Sequence, residues 1–174
     1  ICDNCEKMGV ESIYPTEKQY QSDEEIIKQI AGGDLTRGSC MSAALAYAGC
    51  KAGFYITDFR GGDSRYAVAH YWRETFKIFD GETTEANNGY TATKEVLQKM
   101  EEGKEYILVS GRHAAVVRKK DGLNEYLELQ SPNAEENKFK PLTKLELKYR
   151  FGTQASRSVY GMKLTLPAGI IPID

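Results

Sequence analysis

The chain has 174 residues, of which 41% are apolar and 28% charged, with 23 Lys+Arg against 25 Asp+Glu and a net charge of −2; this is the composition of a globular domain able to bury its own core. So even a balance excludes a nucleic-acid binder driven by bulk charge, and no run reaches the ~18 to 20 apolar residues of a membrane-spanning helix, so neither a nucleic-acid partner nor a membrane span is expected. The chain opens on Ile1, without a basic-then-apolar signal pattern, and we expect a processed product or a domain cut from a longer polypeptide.

Residues 1–20 are polar, interrupted by Pro15, and without sustained periodicity, so they read as an arm or linker preceding a single domain over 21–174. Cys2 and Cys5 form a CxxC pair with no second pair and no nearby histidine, since the two histidines are His70 and His113. A zinc site, a redox pair and the remnant of an upstream module all remain open for it. The four cysteines are too few and too clustered for a disulfide framework. No metal and no cofactor is expected.

In chain order, "SDEEIIKQIAGG" has Ser22 as an N-cap, Glu25 completing a capping box, and Gly32-Gly33 as a stop, which predicts a short helix. From Ser39, the residues Met41, Ala44, Leu45 and Ala48 recur at helical spacing, with Ser39 as cap, until Gly53 gives way to "FYITDF", a run typical of a strand. Ala69, Trp72, Phe76 and Phe79 share a helical face over residues 64–79, where the Tyr and Phe content leaves a strand as the alternative, a polar loop is expected over 81–89, and "TATKEVLQKMEEG" predicts a further helix capped by Thr. Three β-prone segments follow, "EYILVSG", "HAAVVRKK" and "EYLELQS", the last two joined by an Asp-Gly hairpin signal. "LTKLELKYRFG" predicts a short helix and "SVYGMKLTL" one more strand before a Pro-rich tail. Helices first and antiparallel strands second argue for an α+β fold.

Cys40 stands next to the start of its helix, where unpaired backbone N–H groups and the helix dipole favour a thiolate nucleophile. The competing reading is a small apolar residue on a buried helix face. His113 opens the second β-prone segment and is the candidate base, whereas His70, inside "VAHYW", reads as packing or surface. A Cys–His pair needs a third group to hold the imidazole. On the strand after the hairpin, Tyr126, Glu128 and Gln130 share one face by alternation, so Glu128, or failing it Gln130, can orient the ring, unless that face is simply solvated. Cys50 lies ten residues beyond Cys40 on the same helix, ~15 Å along its axis, too far for a disulfide, and reads as packing.

This order, a cysteine at a helix start, Gly-aromatic-x-β-branched thirteen residues on, a histidine opening a strand and a hairpin ending in acid-x-Gln, resembles the papain-like fold toxin domains. Those domains occur in bacterial polymorphic toxins and phage Mu F-type head proteins, and are similar to bacteriocin-processing cysteine peptidases. Ser39-Cys40, Gly53-Phe54-Tyr55-Ile56, His113, Glu128, Gln130 and the "YRFG" near residue 150 occupy the corresponding places over residues 36–152. The chain departs from the pattern at Ser39, where the family has Asn, at Glu128, where it has Asp, and at Ala43, where it has a second cysteine. Asp34 stands where papain-type enzymes carry an oxyanion glutamine, leaving Arg37, Gln29 or backbone N–H groups for that role.

The resemblance implies a minimal papain-like fold, N-terminal helices on an antiparallel sheet, and a Cys40–His113–Glu128 triad acting on protein amides. A peptidase is the first expectation and a glutamine deamidase or transamidase the alternative. It also implies a bacterial or phage toxin or effector, delivered as part of a larger polypeptide, active on a protein substrate in the target-cell cytoplasm and countered by an immunity protein. A non-catalytic phage or secretion-linked binding module is the alternative of another class. If Glu128 is the orienting residue, Glu128→Ala lowers the initial rate of amide cleavage more than Gln130→Ala does; the reverse order would reassign the role to Gln130.

Overall fold

The computed structural model describes residues 21–32, 39–54, 56 and 68–173; the arm over 1–20 with Cys2 and Cys5, and the positions of Asp34, Arg37 and Tyr55, lie outside them. Helix α1 (Asp23–Ile30) has the expected capping box, with Ser22 Oγ accepting from Glu25 N and the Glu25 carboxylate accepting from Ser22 N at 2.7 Å. Helix α2 (Ser39–Lys51) starts on Ser39 itself rather than being capped by it, and its small residues Ala43, Ala44 and Ala46 let it lie close against its neighbours. Of the run from Phe54 to Phe59, the described residues Phe54 and Ile56 lie in none of the strands of either sheet.

Of the helix expected over 64–79, residues 64–67 lie outside the described residues; residues 68 and 69 form a π-helical turn and helix α3 spans Trp72–Ile78. Phe76 is buried and Trp72 packs partly on the core, but Phe79 is largely exposed. The expected polar loop over 81–89 contains strand β1 (Glu82–Ala86). Its side chains carry no buried face, and what makes it a strand is pairing to a distant partner at the sheet edge. Helix α4 (Gly89–Leu97) is capped by Asn88, whose side chain accepts from Tyr90 N and Thr91 N, not by a threonine.

Strands β2 (Glu105–Ser110), β3 (His113–Lys120) and β4 (Leu123–Leu127) pair in sequence order, but β4 ends before Glu128 and Gln130, both expected on it opposite the His113 strand. Asp121 and Gly122 both take positive φ, 52° and 75°, as a two-residue hairpin turn demands. Strand β5 (Phe139–Pro141) and helix α5 (Lys144–Tyr149, capped by Thr143) follow. The segment "SVYGMKLTL" forms a separate exposed hairpin, β6 (Arg157–Val159) and β7 (Met162–Leu164), instead of one strand.

The expected Pro-rich tail is strand β8 (Leu166–Ile173), and it sits inside the main sheet, whose order is β1-β8-β2-β3-β4-β5 with every pair antiparallel. Proline lacks the N–H that an inner strand needs on both sides. The register resolves this: Pro167 lies where β8 is paired with β1 alone and Pro172 where it is paired with β2 alone, while both neighbours flank only Ala168, Gly169 and Ile170.

The fold is α+β, with both faces of the sheet covered rather than one. On one face Ile26, Ile30, Met41, Tyr47 and Phe76 of the first three helices pack on Ile107, Val116, Leu127 and Ile171. On the other, Ala92 and Val96 of α4, with Phe151 after α5, pack on Leu108, Val117, Tyr126 and Ile170. Ile170 is 2% exposed, so Ile170→Ala should lower the unfolding free energy in a denaturant titration by about 2 to 5 kcal/mol. Leu123→Ala, on a side chain 67% exposed, should change it by less than about 0.5 kcal/mol.

Candidate active site

The β3–β4 ladder runs from Lys120 opposite Leu123 to Val117 opposite Tyr126 and stops there. Beyond it the chain leaves β3 while its other edge stays with β5: Leu127 pairs with Phe139 and Glu128 N donates to Lys138 O at 3.2 Å, and Leu129 O accepts instead from Gly32 N at 3.0 Å. The first residues of β3 and the segment 127–130 are thereby splayed apart. A small cavity opens in the fork, lined by Cys40, His113, Glu128 and Gln130 together with the short side chains of Ala43, Ala44, Ala114 and Ala115. Four residues singled out in the sequence from three separated segments meet there.

They arrive from opposite faces. Cys40, on α2, packs with the core of the first three helices. His113 lies opposite Ser110 in the β2–β3 ladder, and the Ser110 hydroxyl bonds those of Thr93 and Thr153 at 2.7 and 2.8 Å on the α4 side. Side chains directly opposite in a ladder share a face, so His113 points with Ser110 toward α4 and α5. Its ring meets Phe151 edge-on at 4.9 Å between centroids. The open fork is what allows both to line one cavity.

The turn before His113 is locked to the segment after α5: Arg112 N donates to Phe151 O at 2.7 Å, and Gly111 has φ +61° with the Phe151 carbonyl so close that a Cβ would lie 2.5 Å from it. A side chain at residue 111 would clash with backbone as well as strain the turn.

Glu128 and Gln130, each 6% exposed, are buried rather than solvated. Their partner is a residue the sequence reasoning did not single out, Arg150, at the C-terminal cap of α5. Its Nε and Nη2 donate to Glu128 Oε2 and Oε1 at 2.5 and 2.8 Å, and Nη2 also donates to Gln130 Oε1 at 3.2 Å. Gln130 Nε2 donates to Ser39 Oγ at 2.6 Å. Two signals were available: a buried carboxylate demands a cation, and Arg150 stands in the "YRFG" segment of the resemblance. Gln29 is held elsewhere, donating to Ile56 O at 2.6 Å. His70 is exposed against Tyr71, and the buried Cys50 donates its thiol to Ile56 O at 3.6 Å, in keeping with packing.

Burial pushes the Cys40 thiol up, against the backbone N–H groups of Ala114 and Met41 and the charge of Arg150, which favour the thiolate. Burial, helped by Arg150 and opposed by Glu128, pushes His113 down to about 3. Burial also raises Glu128, but the Arg150 fork and the Gln130 N–H outweigh it and hold the carboxyl below its usual range. The resting pair is therefore a neutral thiol and a neutral imidazole, beside a carboxylate already neutralised by an arginine.

Among the described residues no cluster of three or more His, Cys, Asp or Glu is arranged to hold a metal, and no helix is long and apolar enough to cross a membrane. Comparison with protein-family models, curated proteins and solved structures finds no match to this chain.

His113 is held neutral in the fold but protonates below about 6.5 once unfolded, so its contribution is present above that pH and lost as pH falls toward 3. Between about pH 6.5 and 5, before carboxylates titrate, the unfolding free energy should fall with a slope of up to about 1.4 kcal/mol per pH unit. Denaturant titrations of His113→Gln over this range should show that slope removed.

Proposed function

We propose that the chain is a cysteine hydrolase that transfers an acyl group from a protein amide through Cys40, with His113 as proton acceptor. Glu128, whose oxygens accept from Arg150 and Gln130 N, acts as the charge that favours the imidazolium in place of the ring-orienting role expected of it. The observation that carries this reading is the cavity in the sheet fork, lined by all three together with Gln130. In the first step the Cys40 proton passes to the imidazole as sulfur bonds the carbonyl carbon. The imidazolium then returns the proton to the departing nitrogen as the C–N bond breaks. Water attacks the thioester, leaving a carboxylic acid and a free thiol. The Ala114 N–H, which favours the thiolate, and the N–H groups at the start of α2 are the donors at hand for the oxyanion.

A peptide bond as substrate makes the protein a peptidase, the reading put first, and a glutamine side chain makes it a deamidase, or a transamidase if an amine replaces water. All three share the thioester. The resemblance to papain-like toxin domains carries the further proposal of an effector acting on a protein in a target cell, with an immunity protein as its inhibitor. A second reading, a non-catalytic binding module, is favoured by one feature: His113 is 8% exposed and packed against Phe151, as a structural histidine would be.

The two part on acylation by p-nitrophenyl acetate. A hydrolase should release a burst of p-nitrophenolate that Cys40→Ala abolishes and that His113→Ala slows by about 100-fold or more, with acetyl-Cys40 found by mass spectrometry. Acetylation no faster at Cys40 than at Cys50, and indifferent to His113, would favour the binding module. On a protein substrate, new chain ends mark a peptidase and ammonia without chain cleavage a deamidase.

A further inference from the structure

The Arg150 guanidinium touches both polar residues behind the cavity, gripping Glu128 through two nitrogens and reaching Gln130 Oε1 with one of them. Arginine carries donors and no acceptor. The Gln130 carboxamide must therefore turn its oxygen toward Arg150 and its nitrogen away, and that nitrogen bonds the hydroxyl of Ser39, the buried first residue of α2 and the neighbour of Cys40. Arg150 is itself fixed by its own N–H, which donates to Glu146 O at 2.8 Å, and by the turn before His113, docked onto Phe151 O.

We propose that Arg150 is a positioning residue of the Cys40 site: by setting the orientation of the Gln130 amide it anchors Ser39, and with it the helix turn that presents the Cys40 sulfur to the cavity. The proposal rests on the acyl-transfer reading and adds to it a residue outside the triad. A lysine cannot substitute, because one ammonium can neutralise Glu128 but lacks the planar fork that spans Glu128 and Gln130 together.

Three variants separate charge from orientation. Arg150→Met removes both, Arg150→Lys keeps the charge, and Arg150→Met with Glu128→Gln removes the carboxylate that would otherwise be left buried without a cation and so guards against a variant that does not fold. Two probes read them, the pH profile of Cys40 alkylation by iodoacetamide and the acylation burst with p-nitrophenyl acetate. In Arg150→Met the alkylation midpoint should move to higher pH, with labelling at pH 7 about tenfold slower, the change that one pH unit in a thiol makes. In Arg150→Lys the midpoint should stay near that of the unmodified protein while the acylation rate still falls about tenfold.

The proposal is overturned if the double variant, folded by circular dichroism with a cooperative melt, alkylates and acylates as the unmodified protein does. It is equally overturned if Arg150→Lys restores both readouts. Absence of a Cys40-dependent burst in the unmodified protein sinks the acyl-transfer reading instead, and with it the positioning role, while the alkylation profiles still decide whether the Arg150 charge acts on the Cys40 thiol.

Discussion

A strand in the middle of a sheet has two neighbours to satisfy, and β3 keeps both only as far as Val117. Past that point the facing segment keeps its far edge on β5 but leaves β3: Leu129 O turns to Gly32 after α1, and the side chains of Glu128 and Gln130 turn to Arg150. The Gly32 bond satisfies a carbonyl that the broken ladder would otherwise leave unpaired inside the protein, where such a group costs about 1 to 3 kcal/mol, and Arg150 satisfies the buried side chains beside it. The fork is thus a compensated opening in the sheet. The cavity depends on it, because a continuous ladder would have closed the space between Cys40 on one face and His113 on the other.

What surrounds the fork is rigid for separable reasons. Ala43, Ala44, Ala114 and Ala115 leave room beside the sulfur without a flexible side chain to fill it. The β2–β3 turn is pinned to the segment after α5 through backbone contacts that only a glycine at 111 permits. The hydroxyls of Thr93, Ser110 and Thr153 close a chain of hydrogen bonds beneath His113. A site built this way holds its geometry by packing and hydrogen bonds together, the arrangement that preorganised chemistry requires.

Local signals in the sequence carried local structure. The Ser22 capping box, the Asp121-Gly122 turn, the Cys40 helix, the meander and the α5 segment all depend on residues close together in the chain, and each forms. What the sequence concealed is long-range. Strand β1 has no hydrophobic alternation and exists because β8 pairs with it, and β8 is disguised by prolines whose harmlessness depends on which neighbour ends where. The unbroken apolar runs "YILV" and "AAVV" did contain a hint, since a strand buried on both faces loses its alternation. They foretold the second helical layer that the α+β reading left out. The same division holds in the site: alternation marked Glu128 and Gln130 as a pair, but the Arg150 that turns them inward is some twenty residues away.

The electrostatics of the fork bear on how such a site would act. A helix N-terminus favours a thiolate by about 0.3 to 1 kcal/mol near a surface, and here burial outweighs it, so Cys40 at a helix start stays protonated. Separate ionisation is opposed for His113 as well, by burial first and then by Arg150. Moving one proton from sulfur to imidazole is different, because it creates two charges of opposite sign beside two that already exist. The new thiolate is favoured by Arg150 and the new imidazolium by Glu128, and the four charges sum to zero. In the proposed reaction only the coupled transfer would have both products compensated, which would tie formation of the nucleophile to the arrival of the proton on His113 and make the Arg150–Glu128 pair part of the proton chemistry.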